Sequence, residues 1–372
     1  MTTTKFLLPL SLTALLFVSG CKKDPAEPEP KTPEPGPSYT VPATYNFSNV
    51  DYNGQKQRLD MVAEMKSYMN SGNTQGTVLD AQKLKDMYAN VNSPFTDASL
   101  NTAGKDIRSK TFLPDQVVFE NYIDQIAAAS QSTVNGSEGV AGVVVSSADP
   151  AKKYLCDANG VEWTQVIEKG LMGSLMYYQS VAVYMDDSKI GNTVDNSQVT
   201  EGKGTTMEHH WDEAFGYFGV PVDFPANKTG IRFWGKYCND RNAVLNCNEP
   251  LMNAFIKGRA AISNKDYTTR DAQVTIVRNT WEKVIAATMI HYVNSTKSKI
   301  TDDAVRNHNL SELKGFLMNL KCNPEKKISD AQLAELENKL GTNFYDITLT
   351  SLDGIKNTLS NIYGLDNVKD AL

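Results

Sequence analysis

The sequence predicts an all-α fold of packed helical bundles. Three observations carry that expectation. Apolar residues recur at three- and four-residue spacing through most of the chain, strand-type alternation is scarce, and capping sequences precede several of the periodic runs. Residues 43–372 are long enough for one large domain or two smaller ones, and the sequence leaves one bundle or two open. A division into two would fall near 186–204, a loop rich in Asp, Asn, Ser and Gly.

The chain opens on a different kind of segment. Lys5 gives a basic start, Phe6 to Val18 is mostly apolar, and Val18-Ser19-Gly20-Cys21 places small residues directly before a cysteine. The apolar run is too short to span a membrane, so 1–20 reads as a lipoprotein signal peptide with Cys21 as the lipidated mature N-terminus. Residues 21–42 form a tether rich in Pro and Glu (KKDPAEPEPKTPEPGPS over 22–38) that has almost nothing apolar to bury. Lys22 offers no aspartate retention signal, which favours an outer-membrane anchor, on its periplasmic or surface face. A net charge of −6 and 22% charged residues give no basic excess for nucleic acid, and no second membrane-spanning stretch follows.

The mature chain then reads helix by helix. Leu59, Met61, Val62, Met65 and Tyr68 keep one face apolar, as do Leu79, Leu84, Met87 and Tyr88, and then Val118, Tyr122, Ile126 and Ala129. Residues 136–147 fit either an irregular stretch or a short hairpin. Val161 to Tyr184 is apolar on nearly every side and so reads as one central helix. Its Gly170, Gly173 and Ser174 suggest a close neighbour, and Glu168 reads as a partner for Lys169 or a solvated edge. Residues 229–258 look irregular and aromatic. Thr268-x-x-Asp271 caps a helix running to about Asn294, Asn309 opens another, Ser329-x-x-Gln332 caps a third, and Leu352 to Ile362 marks the last. Among five cysteines, Cys238 and Cys247 would close a short loop as a disulfide, or remain buried thiols like Cys156 and Cys322.

Thr205 to Pro225 (TTMEHHWDEAFGYFGVPVDFP) concentrates chemistry. It holds two of four histidines, one of four tryptophans and four carboxylates. Thr205 and Glu208 make a capping box. On the helix that follows, Trp211, Ala214, Phe215 and Phe218 share one stripe, while His209 and Glu213 lie on the opposite side with His210 beside them. Imidazole and carboxylate one turn apart suit a divalent or ferric ion, with His210 and Glu213 as ligands and His209 as helper or alternate. A third ligand would have to come from another helix, where Glu168 and His291 are available. The competing reading is a His–Glu pair that orients the helix while the aromatics fill core. No HExxH motif or recognisable nucleophile is present, so no catalytic residue is assigned.

This stretch, with the opening YNFSNVDYNGQKQRLDMVAEMKSYM and the segment VEWTQVIEKGLMG, resembles a family of uncharacterised exported lipoproteins over most of the mature chain. A weaker similarity is to the imelysin-like helical proteins (peptidase family M75-type), which are exported and carry a Gly-x-His-x-x-Glu motif. That resemblance implies two helical bundles, a role in iron uptake, and peptidase activity. Its His and Glu fall on His210 and Glu213, and its glycine position is occupied by Glu208. The functional expectation is therefore a membrane-anchored lipoprotein that binds metal. The alternative is a non-catalytic surface lipoprotein binding a protein or glycan through loops such as 186–204 and 229–258, and a metal-dependent peptidase ranks third.

Overall fold

Helix α10 (Tyr267–Ser298) is the axis on which the structure is assembled, with Val277, Trp281, Val284, Ile285, Met289 and Ile290 all buried. The computed structural model describes residues 1–4 and 38–372. The signal peptide, Cys21 and most of the tether therefore lie outside the described residues. Thr40–Leu372 packs as one unit. It is predominantly helical, and its order is α1 (Asn53–Asn70), α2 (Ala81–Ala89), α3 (Ala98–Asn101), α4 (Gln116–Ala129), a hairpin of β1 (Gly142–Val145) and β2 (Lys153–Cys156), and α5 (Trp163–Leu171). There follow α6 (Asp187–Ile190), α7 (Thr206–Gly216), α8 (Trp234–Leu245), α9 (Asn248–Ser263), α10, α11 (Asp303–Leu317), α12 (Asp330–Leu340) and α13 (Leu349–Tyr363). Helices α8, α9, α11 and α13 pack on α10, α5 packs on α11, and α7 packs on α9.

The all-α expectation holds, while 136–147 supplies only the first strand of a hairpin whose second strand, 153–156, lies beyond it. Gly142 pairs with Cys156 and Val145 with Lys153 in an antiparallel register. The central helix starts at Trp163 and then widens into π turns at Met172–Tyr177 and Gln179–Tyr184. Its glycines do admit neighbours: a methyl on Gly170 would meet the Phe119 ring, and one on Gly173 the Asn319 side chain. Glu168 is buried and accepts from Lys66 at 2.8 Å and Lys169 at 2.6 Å. Lys169 also pairs with Glu312 at 3.2 Å, so buried charge ties α1, α5 and α11 together.

Three boundaries differ from the sequence expectation. Residues 229–258 are largely helical, as α8 and the first part of α9. The polar run through Asn239, Asp240 and Arg241 hides α8, which buries only Trp234, Gly235 and Cys238. The cap of α10 is Asp266, whose carboxylate accepts from Thr269 N at 3.0 Å, in place of Thr268. Helix α11 begins at Asp303 under the Asp302 cap, a turn and a half before Asn309, because Asn307 and Asn309 are polar yet buried.

A single aromatic core joins these helices. Phe255 and Phe218 stack at 5.8 Å, both contact Trp281, and Trp281 reaches Trp234 and Tyr177. Gly258 on α9 lets the Trp211 indole lie against the helix backbone, and a methyl there would overlap the ring. Alanine at an exposed helix position gains about 1 kcal/mol over glycine. Here the overlap outweighs that gain, because Trp211 is fully buried and held by its Nε1–H to the Phe255 carbonyl at 2.9 Å. Gly258→Ala is expected to destabilise the protein by about 1–3 kcal/mol net, read from urea unfolding midpoints; a midpoint that rises would contradict the packing described here.

Candidate functional site

Helix α7 is set by its own first turn. Thr205 Oγ1 accepts from Glu208 N at 3.2 Å, and the Glu208 carboxylate accepts from Thr205 N at 2.8 Å, so both halves of the capping box form. Trp211, Ala214, Phe215 and Phe218 are buried, as the spacing predicts. Asp212 is buried too, which the His/Glu reading did not anticipate. The signal was its place one turn before Phe215, inside the apolar side. Its Oδ1 accepts from Tyr45 OH at 2.7 Å and from Arg259 Nε at 2.9 Å. Arg259 also holds Glu208 at 2.6 Å. Burial pushes the Asp212 carboxyl up to about 7, against the pull of Arg259 and Tyr45.

On the opposite side the two histidines part company. His210 Nδ1 lies 2.7 Å from the Lys189 carbonyl of α6. A carbonyl only accepts, so Nδ1 carries the proton. Burial lowers the pKa of this ring, favouring its neutral form. His209 faces a different space, with Nε2 4.0 Å from Glu213 Oε2 and Nδ1 buried without a partner among the described residues. Glu213 Oε1 accepts from Gln55 Nε2 of α1 and from Tyr184 OH, each at 3.0 Å. Tyr184 comes from the second π turn, which is docked on α7 where Ser180 Oγ donates to the Ala214 carbonyl at 3.0 Å.

His209 and Glu213, but not His210, line a cleft of about 380 Å³ between the start of α1, the segment after α3, and α7. Its other walls include Tyr52, Gln55, Tyr184, Arg58, Lys105, Lys110 and Lys203. The structure thus brings His209 and Glu213 together and turns His210 aside. Glu168 and His291, the residues available as a third ligand, do not line this cleft. Among the described residues no group of three His, Cys, Asp or Glu side chains is placed to hold a metal ion.

The cleft's own distinction is its charge. Arg58, Lys105, Lys110 and Lys203 line it with only Asp51 and Glu213 as acids, and none of the four cations pairs with a carboxylate among the described residues. Arg58 is buried and donates to two backbone carbonyls, Asp106 O at 2.8 Å and Gly54 O at 3.3 Å. Lys110 is half-buried. Burial lowers its pKa, Arg58, Lys189 and Lys105 lower it further, and Glu213 opposes them. These cations come from separate parts of the chain with no local pattern, so the sequence reading missed them.

A family model, a domain of unknown function designated DUF4856, matches residues 42–366. The chain belongs to that family. No curated protein and no solved structure matches it.

Arg259 is the group on which the orientation of α7 rests. Removing it leaves the buried Asp212 with Tyr45 as its one remaining donor and takes from Glu208 its only cation among the described residues. Arg259→Met is expected to cost about 3–5 kcal/mol, while Tyr45→Phe, which removes one hydrogen bond to a charge, should cost about 1.5–3 kcal/mol. Chemical denaturation of both variants checks the ranking, and equal small losses would refute it.

Proposed function

We propose that the protein is an exported, lipid-anchored binding protein whose cleft beside α7 takes a small, multiply charged anion. The single observation that supports this is the set of four cations without carboxylate partners, gathered around one cavity of a protein whose net charge is −6. Like charges held together in a partly desolvated space repel. An anion among them relieves that repulsion and gains about 4 kcal/mol per contact at about 4 Å and an effective dielectric of ~20, before its own desolvation. Tyr184, Gln55 and His209 add polar hydrogen-bonding groups at the cleft wall.

The iron reading drawn from the imelysin resemblance has less behind it. His210 is occupied with a backbone carbonyl outside the cleft, and Glu213 with Gln55 and Tyr184, so the pair does not converge on one point. The anchoring part of the proposal rests on the small residues before Cys21 and on the tether behind it.

Calorimetric titration of the full chain with citrate and with inorganic phosphate tests the cleft. Binding that weakens about tenfold in Lys110→Met and with rising salt is expected. Equal affinity in the variant, or no binding of either anion, would remove the proposal's basis. For the anchor, the wild-type chain should fractionate with membranes and Cys21→Ser should be released; identical fractionation of the two would rule out lipid at Cys21.

A further inference from the structure

The sulfur pair at the junction of α8 and α9 lies away from the cleft and carries a second site. Cys238 sits in α8, Asn246 turns the chain with a left-handed φ of 48°, and Cys247 immediately precedes α9. The two Sγ atoms are 3.6 Å apart, both thiols are buried, and Cys247 Sγ also lies 3.3 Å from the Cys238 carbonyl. A bonded pair needs about 2.05 Å, so the two sulfurs must approach by roughly 1.5 Å to join.

The surroundings of the two sulfurs differ. Cys247 lines a cavity of about 240 Å³ with Leu245, Pro250, Asn279, Lys283 and Lys327, so a reagent reaches it first. Cys238 lies behind it. The Cys238 thiol donates to the Cys247 sulfur, which lowers the pKa of Cys247 against the opposing effect of its burial, and Arg241 acts in the same direction as the thiol. The same contact and burial raise Cys238.

We propose that Cys238 and Cys247 form an oxidisable dithiol that closes into a disulfide, with Cys247 the sulfur that reacts first with a disulfide-bearing oxidant. The Cys247 thiolate attacks one oxidant sulfur, forming a mixed disulfide as the oxidant's S–S bond breaks and releases a thiolate. Cys238 then gives up its proton and attacks Cys247 Sγ, forming the internal S–S bond and expelling the second thiolate. Two electrons pass to the oxidant, which leaves as two thiols with the two protons. The closed bond staples α8 to the start of α9, the helix that carries Arg259 to Glu208 and Asp212.

The test uses the full chain treated with oxidised glutathione, then unfolded and alkylated without reductant before peptide mapping. Cys238 and Cys247 should be found linked and unalkylated, while Cys156 and Cys322, both buried with raised pKa values, are alkylated as free thiols. Reduction should lower the melting temperature by about 5 °C. Alkylation of both members of the pair in the oxidised wild type, which needs no variant to fold, would overturn the proposal. The order of attack is read from single variants. Glutathione should stay on Cys247 in Cys238→Ser, whereas glutathione on Cys238 in Cys247→Ser and none on Cys247 in Cys238→Ser would reverse the assignment.

Discussion

One buried guanidinium organises the part of this molecule around α7. Arg259 leaves α9, pairs with Glu208 and Asp212 on successive turns of α7, and lies over the Phe47 ring at 5.1 Å. Asp212 in turn accepts from Tyr45, whose ring stacks on Phe215 at 3.8 Å. The segment before α1, the helix α7 and the helix α9 are therefore joined through a charge that none of them could leave unpaired in the interior. Satisfying that charge on one side of α7 fixes its rotation. The opposite side, with His209 and Glu213, is then directed at α1 and the cleft.

The cleft inverts this arrangement. Beneath α7 the buried Asp212 and the partly buried Glu208 meet a buried cation, whereas above it four cations line the cleft with only two acids. Glu213 accepts from two neutral donors, Gln55 and Tyr184, and lies 4.0 Å from His209; its single charge opposes the lowering of the Lys110 pKa without reversing it. Low-dielectric walls concentrate the field of such a group, and this is the basis on which an anion is proposed as its ligand. The π turns matter here as well. They bring Tyr184 and Ser180 against α7 at the place where the cleft wall is built.

What the sequence disclosed follows from the range of each interaction. The capping box of Thr205 and Glu208 and the aromatic stripe of α7 are local patterns, and both are found as expected. The all-α class follows from helical periodicity repeated along the chain. Helix α8 escaped because its apolar side is only three buried residues wide, and the start of α11 because its polar Asn307 and Asn309 are buried by partners far along the chain. The site divided in the same way. His209 and Glu213 were visible as a pair one turn apart, but whether His210 joins them depends on the Lys189 carbonyl, which no spacing rule supplies. Arg58, Lys105, Lys110 and Lys203 converge only through the fold, so their shared cavity had no signature in the sequence.

The proposed function requires the cleft to hold uncompensated positive charge that an anion relieves. The most direct measurement is the pKa of the Lys110 ammonium, followed by NMR of its side-chain methylene next to nitrogen, with and without citrate. The Lys110 pKa should lie below the ordinary 10.5 in the free protein and rise when citrate is added. A Lys110 that titrates at or above 10.5 and ignores citrate would contradict it.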